Sequence, residues 1–140
     1  MDNKIFLCST DTTIGFICKN KAALDRAKNR AANKKYIRAL PNLRAISKRV
    51  PKRFKKYVRR AKKTTFIIDK DYSFRVIRNK HHNLLINRLG WAYTTSANKS
   101  GEEFDLEFAI SKADIIVYPL KNGKPSTIYK LFKRKLKRIR

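Results

Sequence analysis

Strand-like and helix-like stretches interleave along this chain, and three observations make it a single α/β domain. Residues 64–68, 74–78 and 113–118 are short runs rich in β-branched and aromatic side chains, the composition of strands. Between such runs lie segments with apolar residues at helical spacing, of which Val50, Phe54, Tyr57, Val58 and Ala61 form the clearest stripe. A length of 140 residues with 42% hydrophobic content supports one packed core and leaves no room for two.

Taken in order, residues 4–8 are an apolar strand ending in the polar group Ser9-Thr10-Asp11-Thr12-Thr13. Residues 14–18 follow as a second strand or a helix entry, with Gly15 permitting a tight backbone. Asn20 suits the N-cap of a helix through Ala22, Ala23, Leu24 and Ala27. That helix runs into Lys28-Asn29-Arg30, where cations meet the negative end of its dipole. Pro41 opens a linker with a short helical stretch to Ile46, and Pro51 stands at the start of the next helix.

On that helix Lys52, Arg53, Lys55, Lys56, Arg59, Arg60 and Lys62 fill the polar face. Such a face is solvated, and with no acid nearby it also suits a phosphate backbone. Residues 64–68 read as a buried strand, 69–73 as a turn and 74–78 as a second strand. Leu84, Leu85, Ile86 and Leu89 predict a short helix ended by Gly90. A strand-like run at 91–93 then leads into Thr94-Thr95-Ser96-Ala97-Asn98-Lys99-Ser100-Gly101. This polar loop either offers hydroxyls and backbone N–H groups to an anion or is an ordinary turn with Ser100 as a helix N-cap. Glu102, Glu103, Asp105 and Glu107 reverse the local sign at the start of that helix, and Phe104, Phe108 and Ile110 are expected to pack inward. Residues 113–118 form another strand, and Ile128, Leu131, Phe132, Leu136 and Ile139 would suit a basic amphipathic helix in the tail.

The formal net charge of +26, from 36 Lys and Arg against 10 Asp and Glu, attracts polyanions and points to nucleic acid or nucleotides as partners. No long apolar run exists to insert into a bilayer, so no membrane partner and a cytoplasmic location are expected. Cys8 and Cys18 have no second pair to complete a zinc site and read as reduced core residues. His81 and His82 are adjacent, so their side chains do not converge, and no structural metal is expected.

Several strings resemble those of one family. Thr94 to Gly101 is similar to Ser-Thr-Ser-Ala-Asn-x-Ser-Gly, a signature of the YrdC-like, threonylcarbamoyl-AMP synthase family. Residues 9–16, Ser-Thr-Asp-Thr-Thr-Ile-Gly-Phe, resemble its Pro-Thr-Glu-Thr-Val-Tyr-Gly-Leu motif, and Lys28 with Arg30 resembles its Lys-x-Arg. Gly123-Lys124-Pro125-Ser126-Thr127-Ile128 is similar to its Gly-x-Pro-Ser-Thr-Ile string, and Arg75-Val76 to its Arg-Val-Pro segment. The chain departs from the pattern where the family has a Pro-Gly-Pro loop: Lys62 and Lys63 stand there, before the matched Thr65. The family's histidine has no counterpart near residues 36–40.

The resemblance implies one YrdC-like α/β domain over residues 1–140, a twisted, mixed, open sheet flanked by helices around a basic cavity. It implies an enzyme, a nucleotidyltransferase making threonylcarbamoyl-AMP and pyrophosphate from L-threonine, bicarbonate and ATP, the first step of threonylcarbamoyl-adenosine (t6A) formation in tRNA. ATP is then a substrate, with Mg²⁺ as a candidate companion of its phosphates. Lys28 and Arg30 would be catalytic and, with Lys34, hold phosphates; Thr65, Ser96, Asn98, Ser100 and Arg140 would bind the nucleotide. Thr10, Thr12, Arg75 and Thr95 would position threonine, a guanidinium being well matched to a carboxylate. The family has two short strands in place of a helical tail. Charge adds tRNA or double-stranded RNA as a partner on Lys52, Lys55, Lys56, Arg59, Lys62 and Lys63, and t6A transferase proteins would accept the intermediate. The rival expectation is a non-catalytic double-stranded RNA or tRNA binding module on the same fold. A ribosome-associated basic protein would explain the charge but not the ordered motifs.

Overall fold

The computed structural model describes residues 3–29, 35–132 and 134–140. The first strands are β1 (Phe6–Ser9) and β2 (Ile14–Cys18), followed by α1 (Lys21–Lys28) and β3 (Ile37–Leu40). Two single turns of 3₁₀ helix, Leu43–Ala45 and Lys52–Phe54, lead into α2 (Lys55–Arg60). Then come β4 (Thr64–Asp69), β5 (Tyr72–Val76), α3 (Lys80–Leu89) and β6 (Ala92–Ser96). The chain closes with α4 (Leu106–Lys112), β7 (Ile115–Val117), β8 (Thr127–Leu131) and β9 (Leu136–Arg138).

The nine strands of the described residues join one sheet in the order β7-β1-β2-β6-β3-β5-β4-β8-β9. It is mixed: β1 with β7, β3 with β5 and β4 with β8 run parallel, the other neighbours antiparallel. Alternate residues of a strand face opposite sides, which sorts the core. Leu7, Phe16 and Cys18 pack with Ala23, Leu24 and Ala27 of α1 and Ala109 of α4. Phe6, Cys8 and Ile17 pack on the other side with Leu85, Ile86 and Leu89 of α3. A third group, Leu40, Val58, Phe66, Tyr72, Phe74 and Leu131, secures α2 to the β5-β4-β8 part of the sheet.

Local capping agrees with the sequence in several places. The Asn20 side chain accepts from the Ala23 N–H at 3.3 Å at the start of α1, and Gly90 ends α3 with φ +82°. The reading of 14–18 resolves to a strand, and the tail resolves to β8 and β9 rather than a helix.

Other expectations need correction. Residues 37–40, for which the sequence predicts no element, form β3 in the middle of the sheet. Four residues are too few to show a period, and Arg38 occupies a position where its guanidinium stacks over Tyr72, Trp91 and Tyr93 at 4.8–5.4 Å. The 69–73 turn is narrower than expected, because β4 continues to Asp69 and β5 begins at Tyr72. Ser100 does not cap a helix: α4 starts at Leu106, with Asp105 accepting from the Glu107 N–H at 3.0 Å. Phe104 and Phe108 pack on the core as expected, whereas Ile110 is 40% exposed because the narrow buried stripe of α4 runs through Ala109.

A cationic cavity across the sheet

Pairing registers assemble the site. Thr94 lies opposite Ile37, Ala39 opposite Arg75, and Thr65 opposite Ile128, so residues far apart in sequence form a row across one face. At the end of that row opens a cavity of about 240 Å³. Thr10, Thr12, Arg75, Thr95, Ser96 and Arg140, all predicted site residues, line it. Among the described residues its cations are Lys35, Arg75 and Arg140, and no carboxylate side chain lines it. A second hollow of about 220 Å³ adjoins it, sharing Thr13, Ser96 and Pro125 and reaching Asn98.

Each wall is built by local hydrogen bonding. Thr10 Oγ1 accepts from the Thr12 N–H at 3.1 Å and donates to the Thr13 carbonyl at 2.6 Å, so the 9–13 loop folds on its own hydroxyl. Arg75 is buried and donates from Nη2 to Thr12 Oγ1 at 2.9 Å and to Asp11. Burial lowers its affinity for the proton and the Asp11 carboxylate opposes that, so the guanidinium stays charged. Asp11 also accepts from the Arg78 N–H at 3.2 Å.

The opposite wall is tied to the first. Ser9 Oγ accepts from the Lys121 N–H at 2.7 Å and donates to the Pro119 carbonyl at 3.0 Å, while Asn122 Oδ1 accepts from the Ile14 N–H at 2.8 Å. Gly123 comes so close that a Cβ there would stand 2.7 Å from the Thr12 carbonyl oxygen. Beyond it, buried Ser126 shares a hydrogen bond of 2.9 Å with Thr65, and Arg140 donates to its carbonyl at 3.0 Å and its hydroxyl at 3.2 Å. Thr65 therefore lies behind the lining and acts on it through Ser126.

Lys28 is placed differently from a cavity-lining phosphate ligand. It is 1% exposed, and its Nζ donates to the Ser96 carbonyl at 2.7 Å and to Asn98 Oδ1 at 3.3 Å. Asn98 also accepts from Ser96 Oγ and donates to the carbonyls of Lys99 and Glu102 at 3.1 and 2.7 Å. Its amide is occupied within the loop. Ser100 is exposed and lines neither hollow, although its N–H donates to the Lys28 carbonyl at 3.3 Å. Arg30 and Lys34 lie outside the described residues. Lys52, Lys55, Lys56, Arg59, Lys62 and Lys63 are all exposed, on α2 and just before and after it.

Lys35, Ser126, Thr13 and Asp11 are site residues that sequence reasoning missed. The Pro-Ser-Thr-Ile string carried the signal for Ser126; Lys35 had none beyond its neighbours' charge. His82, given no role, is fully buried on α3 with neither ring nitrogen hydrogen-bonded. Burial first and the Arg75 charge second hold its pKa down to about 4. For Mg²⁺ the donor set does not fit. Among the described residues no group of three or more His, Cys, Asp or Glu is placed to hold a metal, and Asp11 is engaged by Arg75 and the Arg78 N–H.

The fold and the site thus define an α/β protein with a cation-lined cavity at the ends of central strands. Among solved structures, a double-alanine variant of Sua5 from P. abyssi is similar at a TM-score of 0.88 and 18% identity, covering 99% of this chain and 52% of that one. P. abyssi Sua5 complexed with L-threonine is similar at 0.85 and 16%, covering 99% and 50%, and E. coli YciO at 0.79 and 18%, covering 98% and 82%. The chain has a YrdC-like fold, and it spans about half the length of the Sua5 chains. No protein-family model matches the sequence, and no curated protein matches it significantly. No helix among the described residues is long and apolar enough to cross a membrane.

Proposed function

We propose that this chain is an L-threonylcarbamoyladenylate synthase acting in t6A formation. The observation that carries the reading is the convergence of Thr12 and Arg75, Ser96, and Ser126 with Arg140 on one cavity lined by three cations, two of which are paired by Asp11 and Asp71 from outside the lining. The sequence resemblance to the synthase family and the YrdC-like fold support it, as does the L-threonine complex of the similar Sua5 structure.

In this reaction the amine of threonine carries bicarbonate-derived carbon as a carbamate, whose oxygen attacks the α-phosphorus of ATP while pyrophosphate leaves. Both reactants are anions, so the site must supply positive charge and in-line placement rather than a protein nucleophile. Arg75, held in place by Asp11 and Thr12, would receive the threonine carboxylate, with Thr10 and Thr95 around it. Arg140 and Ser126, backed by Thr65, and Ser96 at the junction of the two hollows would hold the nucleotide. Lys28 would act by fixing Ser96 and Asn98. Arg30 and Lys34 remain proposed phosphate ligands, and any Mg²⁺ would arrive on the triphosphate. The t6A transferase proteins would be the acceptors of the product.

The test is threonine-dependent pyrophosphate release by the pure chain supplied with ATP, bicarbonate and threonine. Ser96→Ala and Arg140→Ala should each reduce it about tenfold or more, the scale expected when one preorganised donor is lost. Near wild-type turnover in both would reject the assignment.

A second reading is favoured by a separate observation: residues 44–63 carry eleven Lys and Arg and no acid, most of them exposed on and around α2. On this reading the chain is a tRNA or double-stranded RNA binding module without turnover. RNA binding that weakens steeply with salt, together with no pyrophosphate release, would select it.

A further inference from the structure

Beside α2 lies a groove of about 430 Å³ that has no part in the cavity described above. Its floor is aliphatic: Leu43, Ile46, Val50 and Val58 line it. Val58 belongs to the core, and the other three pack against that core while staying half-buried. Cations stand on both walls, Arg44, Lys48 and Arg49 from the segment before α2, and Lys55 and Arg59 from α2 itself. Lys48 bridges to Asp69 at 3.5 Å, and no acid lines the groove.

These features restrict the occupant. An aliphatic floor joined to the core offers burial to an apolar side chain, and its volume is within the range of about 300–1,000 Å³ typical of ligand sites. Cations along both walls ask for several negative charges spread over a chain rather than one head group. A nucleic acid supplies the charges but has no aliphatic anchor, and no aromatic side chain lines the groove for a base to stack on. On α2, Lys55 and Arg59 are one turn apart and line the groove, whereas Lys52, Lys56, Lys62 and Lys63 do not.

We propose that this groove is a docking site for an acidic segment of a partner protein, anchored by one or two aliphatic side chains on Leu43, Ile46 and Val50. The inference does not depend on the synthase reading.

The test is fluorescence anisotropy at physiological ionic strength with a labelled polyglutamate peptide bearing two leucines one helical turn apart. The same peptide with serine in place of leucine separates anchoring from general attraction to a basic protein. The leucine peptide should bind about tenfold or more tighter, the amount that burial of one leucine side chain supports. Ile46→Asn should remove that preference and leave the serine peptide's affinity unchanged. Arg49→Glu, an exposed substitution that keeps the test valid should Ile46→Asn fold poorly, should weaken the leucine peptide more than Lys137→Glu on β9 does. Equal affinity of the two peptides would overturn the proposal. So would equal losses from Arg49→Glu and Lys137→Glu. A short RNA duplex that loses affinity on Arg49→Glu, with no leucine preference among the peptides, would assign the groove to nucleic acid and overturn it as well.

Discussion

Lys28 illustrates how one side chain can belong to a functional motif and still act through structure. Its ammonium is nearly inaccessible and satisfies the Ser96 carbonyl and Asn98 Oδ1. Truncation removes two hydrogen bonds from a charged donor to part-buried acceptors, a loss of about 1.5–3 kcal/mol. Lys28→Ala should therefore lower the denaturant midpoint measurably, not just activity, and an unchanged midpoint would contradict this role. His82 makes a pH prediction. The unfolded chain takes up a proton on this imidazole near pH 6.5, the folded chain only near 4, so stability is fully present above 6.5 and falls as pH drops toward 4. The loss over that window is on the order of 3 kcal/mol. Equilibrium unfolding at several pH values should show it, and His82→Leu should flatten that part of the profile.

At the scale of elements, the site depends on two loops pressed together. The 9–13 loop and the 119–126 segment are joined by Ser9, by Asn122 and by the approach of Gly123 to Thr12. Both sides of that last contact are backbone, so neither can swing aside. Gly123→Ala should cost about 1–3 kcal/mol of stability, as overpacking does, and should weaken ligand binding in the cavity because Thr12 must move. Thermal unfolding and a binding titration would check the two parts separately. The strands were legible where they were long or β-branched, as in β4, and β3 was not, since four residues are too few to show a period. The Ser100 cap was misplaced for a related reason: acids at 102–107 mark a helix start without saying which one begins it.

Over the whole molecule, charge dominates. With a formal net charge of +26 the folded state repels itself, and salt screens that repulsion over about 8–10 Å at ordinary ionic strength. Added sodium chloride should raise the unfolding midpoint while weakening any polyanion binding, and differential scanning fluorimetry across a salt series would show a flat response if the repulsion is unimportant. The cavity's cations are part of this field, and two of them are held by acids outside the lining, Arg75 by Asp11 and Lys35 by Asp71 at 2.9 Å.

The sequence by itself determined the class of fold, the order of most elements and the identity of six of the fourteen residues that line the cavity, because those follow from local pattern and from motifs written in consecutive residues. Tertiary structure alone decided which of them face the cavity. Strand register places Thr65 behind Ser126 and Arg75 in the cavity wall, burial turns Lys28 toward the 96–98 loop, and Asp11 becomes the partner of Arg75 across sixty-four residues. Pleat and pairing set which side of a sheet a residue meets, and that depends on neighbours the chain reaches only by folding.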